Sequence, residues 1–276
     1  MTMNFEEKVL QGLLKCGVSA ESVSIKTPLG VAVSGGADSV SLLLALSRIF
    51  SPDFIKVITV NHGIREKSQT DGDAAFVKDF CKKLGIFCKE KVFEQGQIQK
   101  IAEARRKGIE EAARFKRYEA FEDFIKEENL VGLCLAHHQG DVLETVLMRF
   151  FNGSGAEGLS GIASRREKYL RPLLEINRQE IESYLVQNNI SWCTDSTNSQ
   201  NDYARNKIRN LLVPFLNENF PQWQEGLVSA SEKFQADKLF FEAVVSQKLQ
   251  KLVKEQTETE IVLDLDKFCS LDFALK

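Results

Sequence analysis

The chain has 276 residues, 43% of them hydrophobic and 27% charged, with 17 Gly and 5 Pro. A chain of that length buries a core without staples, and that composition excludes a disordered, collagen-like or linker protein. Thirty-six Lys and Arg against 39 Asp and Glu leave a formal net charge of −3, so affinity for nucleic acid has to come from local basic patches.

The N-terminus carries Glu6 and Glu7 where a secretory signal has lysines. No stretch reaches the roughly 18 apolar residues of a membrane span. The six cysteines, Cys16, Cys81, Cys88, Cys134, Cys193 and Cys269, include no C-x-x-C pair and read as reduced thiols of a cytoplasmic protein. Leu29–Val33 predicts a buried strand. Val40–Phe50 predicts a helix, with Val40, Leu43, Leu44 and Ser47 at helical spacing. Ile55–Val60 is a second strand, Asp73–Leu84 a helix, and Ile86–Phe93 a third, more polar strand suited to an edge. Ile98–Lys126 reads as one long helix or a pair, Leu130–Ala136 as a fourth strand, and Asp141–Phe151 as a helix. Loops follow at Asn152–Gly161 and Ser191–Asn206, with a short helix at Arg178–Asn188 between them. From Asn217 onward the pattern is helical and acidic, seven basic against eleven acidic residues. Strand–helix–strand repetition means right-handed βαβ units and a parallel sheet, whose ligands sit beyond the carboxyl ends of the strands.

The hexapeptide Ser34-Gly35-Gly36-Ala37-Asp38-Ser39 joins the first strand to the first helix. Its glycines permit left-handed backbone and close approach of a ligand, and successive amides at a helix N-terminus form an anion nest. Asp38 would repel a phosphate unless a Mg²⁺ lies between them. The loop is neither a P-loop nor a dinucleotide fingerprint. The bland alternative is a plain turn with Asp38 as the helix cap. His137, Asp141 and Glu144 share one face if helical, and suit a divalent cation or a substrate ammonium. Packed histidines and an exposed helix acid are the bland readings. His62 and Arg65 follow the second strand. Arg114 and Arg117 close a run from Lys100 with seven basic and three acidic residues. Facing a cleft, they would neutralise phosphate. Arg165, Arg166, Lys168 and Arg171 form one further basic cluster, and Arg205, Lys207 and Arg209 another; both could track an RNA backbone. Tyr203 offers a ring for base stacking, while Asp195 and Asn198 suit turn caps.

The hexapeptide resembles the SGGxDS signature of the PP-loop ATP pyrophosphatases, which cleave ATP to AMP and pyrophosphate. Five further segments, in order, resemble those of the tRNA(Ile)-lysidine synthetases. They are Val60-Asn-His-Gly-Ile-Arg65 with Ser68; Glu111-Ala-Ala-Arg114 with Arg117-Tyr118; Ala136-His-His-Gln-Gly-Asp-Val-Leu-Glu-Thr145 with Arg149 and Gly153-Ser-Gly155; Arg171-Pro-Leu-Leu174 with Arg178 and Glu180-Ile181; and Asp195-Ser-Thr-Asn198 with Tyr203, Arg205-Asn206 and Ile208-Arg209. The chain departs from the family at Gly140, where an aspartate is usual, and at Val142, where a glutamine is usual.

The resemblance implies an α/β fold: a parallel sheet with helices on both faces, of the adenine nucleotide α-hydrolase-like kind, plus a small helical C-terminal segment. It places a PP-loop domain over 1–215 and a helical, tRNA-contacting region of a short form over 216–276. It implies adenylation of the wobble cytidine of an isoleucine tRNA with a CAU anticodon, then replacement of AMP by free L-lysine, using ATP and Mg²⁺ in the cytoplasm. On the same ground, ATP meets Ser34, Gly35, Gly36, Ala37, Asp38, Ser39 and His62, and Asp38 holds the metal. Asp38, Arg114, His138, Asp141 and Glu144 serve catalysis, and Arg65, Arg205 and Arg209 meet RNA. No general base is assigned; His138 is the candidate, because a near-neutral imidazole suits the task. A homodimer is left open, and no membrane partner is implied. The rivals are a tRNA thiolase, which needs reactive cysteines, and a non-catalytic nucleotide-dependent RNA-binding protein.

Overall fold

The computed structural model describes residues 3–61, 63, 67–194, 204–257 and 259–272, without the side chains of 67–71. It divides into two compact units. The first is Met1–Val142 with Ile162–Asn206; the second is Leu143–Gly161 with Lys207–Lys276. The boundary expected at 215/216 falls inside a helix of the second unit, Val213–Asn219.

The first unit is built on strands β1 (Leu29–Ala32), β2 (Ile55–Asn61), β3 (Phe87–Val92), β4 (Gly132–Cys134), β5 (Arg165–Arg166) and β6 (Tyr169–Leu170), in the order β3-β2-β1-β4-β6-β5. All neighbours pair parallel except β5 with β6. Polar β3 is an edge, as its composition predicts. The two-residue strands β5 and β6 lie in the segment read as a basic cluster; so short a pair has no periodicity to betray it.

Alternation along the strands divides the core between the two faces. Leu29, Val31, Val33, Ile55 and Val57 pack with helices α1 (Phe5–Lys15), α2 (Ala37–Ile49), α3 (Lys67–Leu84) and α8 (Arg178–Gln187). Ile58, Leu133 and Leu135 pack with α4 (Gln97–Arg105) and α5 (Ile109–Glu127). The helix α1, which periodicity did not single out, starts at a reciprocal cap between Asn4 and Glu7, each bond 2.8 Å. The stretch 98–126 resolves into a pair, broken where Arg106 adopts φ 53° and Gly108 caps α5.

The chain runs from β1 outward to β2 and β3, then returns to place β4 on the other side of β1. The reversal puts a topological switch point between the carboxyl ends of β1 and β4, the place where parallel sheets open a crevice.

The second unit contains the greater part of α6 (Gln139–Phe151), α7 (Ala156–Leu159), a π-helical turn at Ile208–Leu212, α10 (Val213–Asn219), α11 (Trp223–Leu252) and α12 (Leu265–Cys269). The glycine-rich loop after α6 contains α7, and the Arg149 guanidinium ties it down by donating to the carbonyls of Gly158 and Gly161, both at 2.8 Å. Lys238 of α11 pairs with Glu157 of α7 at 3.0 Å. The wholly helical reading from Asn217 onward is corrected at one place: β7 (Val253–Gln256) and β8 (Ile261–Leu263) form an antiparallel hairpin. Its β-branched Val253, Ile261 and Val262 favour extended backbone over helix. Among the described residues no helix is long and apolar enough to cross a membrane.

Candidate active site

The Ser34–Ser39 loop leaves β1 and opens α2 at the switch point. Gly35 adopts φ 90°, and a Cβ there would lie 3.3 Å from Cys193 Sγ, so glycine alone fits without strain. The Cys193 amide donates to the Gly35 carbonyl at 2.9 Å and fixes the back of the loop. Gly36 is the N-cap of α2 and offers no side chain to the first turn. The loop's own side chains bind one another: the Ser34 amide donates to Ser39 Oγ at 3.1 Å, and that hydroxyl donates to the Gly36 carbonyl at 3.0 Å. Among the described residues the amides of Gly35, Gly36, Ala37, Asp38 and Ser39 donate to nothing. Five uncommitted donors at a helix N-terminus make an anion cradle.

The cradle floors a cleft of about 420 Å³. Across it stand Arg114, Arg117 and Tyr118 of α5, and His137 follows β4. Burial pulls the Arg117 pKa down, and Arg114 adds to the effect. Burial holds His137 at about 4, despite Asp141, with Arg171, Arg205 and Arg114 pushing the same way as burial. His137 is therefore neutral at physiological pH.

Asp38 sits at the mouth of the cradle, and its Oδ1 receives Arg178 Nη1 at 2.6 Å. His138 Nε2 lies 3.9 Å from Asp38 Oδ1 and 3.8 Å from Asp141 Oδ2, between the two carboxylates. The ring is anchored from behind, because the Gly140 amide donates to His138 Nδ1 at 3.0 Å. That bond assigns the proton of the neutral ring to Nε2, facing the acids. In that tautomer the ring's remaining lone pair, on Nδ1, is engaged by the Gly140 amide. Asp141 in turn accepts the His138 amide at 3.0 Å. An imidazole and a carboxylate thus supply the reciprocal cap of α6. The departure at Gly140 belongs to the same arrangement: a Cβ there would lie 2.6 Å from His138 Cε1. Glycine lets the ring lie flat against the helix start.

In the second unit, Glu144 is buried and bound bidentately by Arg209, at 2.6 Å from Nε and 3.0 Å from Nη2. A buried carboxylate needs such a partner. Arg205 lies on α9 (Ala204–Lys207) in the first unit. His62, Arg65, Asp195, Asn198 and Tyr203 lie outside the described residues.

Among the described residues no three His, Cys, Asp or Glu side chains gather closely enough to hold an ion alone. A carboxylate beside uncommitted amides fits a Mg²⁺ that arrives on phosphate oxygens, since that cation needs only one or two carboxylates.

The model of the PP-loop domain, an ATP-binding family, matches residues 2–216. The chain belongs to the PP-loop family. It is 42% identical over 253 residues to the tRNA(Ile)-lysidine synthase of Treponema denticola, covering 89% of this chain and 54% of that protein. It is 43% identical over 204 residues to the tRNA(Ile)-lysidine synthase of Borreliella afzelii, covering 73% of this chain and 46% of that protein. It is 37% identical over 240 residues to the bifunctional protein TilS/HprT of Listeria monocytogenes, covering 84% of this chain and 36% of that protein. The chain spans about half the length, or less, of these curated relatives. Among solved structures, the U34-tRNA thiolase NcsA of Methanococcus maripaludis superposes with a TM-score of 0.66 at 18% identity, over 83% of this chain and 76% of that one, a likeness of fold alone.

Two residues of the PP-loop site carry no role in the sequence reading. Arg178 stands in a quoted motif, yet nothing in the spacing says that its guanidinium meets Asp38, 140 residues away. The link from Cys193 to the PP-loop is a backbone bond and leaves no trace in residue type.

Proposed function

We propose that the chain makes lysidine on an isoleucine tRNA with a CAU anticodon. ATP places its pyrophosphate portion on the amides of Gly35 to Ser39, and His62 meets the adenosine. The carbonyl oxygen of the wobble cytidine attacks the α-phosphorus, and the bond to the β-phosphate oxygen breaks, so pyrophosphate leaves from the cradle. Asp38 would hold a Mg²⁺ accompanying the phosphates, which would supply charge neutralisation there. Arg114, across the cleft, neutralises the charge developing on the leaving group.

The amine of free L-lysine then attacks the activated ring carbon, the carbon–oxygen bond breaks, and AMP departs with the oxygen. The amine sheds its proton in that step. His138, whose Nε2 lies between Asp38 and Asp141, is a positioning residue in this state. Asp141 steadies the lysine ammonium, while Arg65 and Arg205 meet the RNA. Holding the amine against the activated carbon lowers the barrier chiefly through proximity, a contribution that reaches about 7–11 kcal/mol in well-oriented systems.

The reading is carried by one conjunction: a loop of uncommitted amides, with Gly36, Asp38 and Ser39 lining the cleft, in a chain 42% identical to a tRNA(Ile)-lysidine synthase over 89% of its length. Incubation with unmodified isoleucine tRNA, ATP and labelled lysine tests it. Label retained on the anticodon loop, with AMP and pyrophosphate released, is the expected result. Release of AMP only when a sulfur donor replaces lysine would favour a thiolase. RNA binding without pyrophosphate exchange would favour a non-catalytic binder.

A further inference from the structure

Beyond Arg114 and Tyr118 lies a second cavity of about 420 Å³ in the first unit, and those two residues line both it and the ATP cleft. Its wall carries four arginines, Arg105, Arg114, Arg166 and Arg171. Among the described residues none of the four forms an ion pair. Two of the glutamates on the wall are already engaged: Glu111 pairs with Lys107 at 3.4 Å, and Glu122 accepts the Tyr169 hydroxyl at 2.5 Å.

Arg171 is the decisive group. It is only 8% exposed, and its Nη1 donates to the Ala163 carbonyl at 2.8 Å, yet its Nε is buried with no acceptor. A buried donor left without an acceptor is costly, more so when charged. Burial lowers its pKa; the Tyr118 hydroxyl, which bonds the guanidinium, works against that, while Arg114 and Arg166 add to it with like charge. Such a gathering of cations is relieved by an anion.

The rest of the wall says which kind. Tyr118 and Tyr169 meet edge to face at 5.0 Å, and Arg114 lies over the Tyr118 ring at 4.9 Å. Arg105 covers the half-exposed Phe115 at 3.7 Å. Flat guanidinium and aromatic groups around a phosphate-sized charge deficit match one nucleotide of a single strand, phosphate on the arginines and base on the rings.

We propose that this cavity seats a nucleotide of the RNA strand next to the reacting base, its phosphate held by Arg166 and Arg171. The inference takes its RNA partner from the proposed function and adds a site to it.

Fluorescence anisotropy with a labelled RNA stem–loop carrying a CAU loop tests it, with ATP and AMP titrated separately. Arg166→Glu changes an exposed residue, so the fold is retained. The expected result is RNA binding weakened about tenfold or more, a salt slope reduced by about one, and unchanged ATP affinity. Arg171→Gln should show the same selectivity, with its thermal melt recorded alongside. ATP or AMP binding weakened as much as RNA binding would assign the cavity to the free nucleotide and overturn the proposal. Unchanged RNA affinity in Arg166→Glu, or no RNA binding by the unaltered protein, would overturn it too. Because the readout is RNA affinity without lysine, a failure of lysine transfer leaves this test standing.

Discussion

Two turns stand side by side at the carboxyl ends of paired strands, and they finish their helices in opposite ways. After β1 the chain enters α2 through Gly36, and the first-turn amides meet no side chain. After β4 it enters α6 through His138, and a ring and a carboxylate fill the corresponding positions. Every helix start leaves about four donors in need of partners. A turn that satisfies them internally builds a rigid platform, and a turn that leaves them open builds a receptor for an anion. The proposed reaction needs both, one to hold phosphate and the other to hold acids beside it.

The largest effect should come from removing the one acid at the open turn. Asp38→Ala deletes the proposed metal ligand and the partner of both Arg178 and His138. Pyrophosphate exchange and lysine transfer should fall by about 100- to 1000-fold, the scale of losing one aligned electrostatic group in an active site. The melting temperature should barely move, because Arg178 is exposed and exposed pairs contribute little. Activity within a fewfold of the unaltered protein would remove Asp38 from the chemistry.

The filled turn has a pH dependence of its own. His137 is held at about 4, chiefly by burial. The unfolded chain takes up that proton near pH 6.5, so between about 6.5 and 4 it binds more protons than the folded chain. Stability from this group is therefore complete above pH 6.5 and falls as the pH drops toward 4, by at most about 3 kcal/mol. Urea midpoints measured at pH 7 and pH 4.5 should drop on acidification, and His137→Gln should flatten the slope. Equal slopes in the two proteins would show that His137 is not held neutral.

How much of this was readable beforehand follows from the same contrast. The open turn was legible because its properties reside in glycines and a strand–helix junction, which are local. The parallel sheet was legible from alternation, down to the edge placement of β3. The filled turn was only half legible: His138 and Asp141 stood out as polar residues after a strand, but their bonds to each other and to Gly140 depend on ring orientation. Glu144 and Arg209, which the sequence marks for a substrate ammonium and for RNA, are each the other's bidentate partner. Residues 65 apart leave no periodic signal of that pairing. Arg178 on Asp38 is the same lesson across 140 residues.

Gly140 sharpens the comparison from the filled side. In Gly140→Ala the new methyl would lie 2.6 Å from His138 Cε1, so the ring must swing out or the helix start must shift. A cost of about 1–3 kcal/mol is expected, typical of overpacking. Gly140→Asp introduces the acid that the resemblance expects here and should displace the ring equally. Calorimetry gives the cost, and the imidazole resonances of His138 report whether the ring has moved. An unchanged melt with unchanged resonances would show that the ring does not depend on glycine.

The smallest change in stability offers the most direct trial of the contrast. Gly36 already has the extended backbone of an ordinary N-cap, φ −71° and ψ 160°, and the nearest atom to a Cβ there is Ser34 Oγ at 3.7 Å. Gly36→Ser therefore fits without strain and gives α2 the side-chain acceptor that it lacks. The serine should bond an amide of the first turn and stabilise the protein by a few tenths of a kcal/mol, the usual gap between Gly and Ser caps. The same bond takes an amide out of the cradle, so ATP affinity should fall about tenfold while stability rises. Calorimetric titration of ATP beside a thermal melt separates the two changes. Weaker binding with lower stability would mean that the loop had been distorted. Unchanged binding with higher stability would mean that the first-turn amides do not hold the phosphates, and that the open turn is open for some other reason.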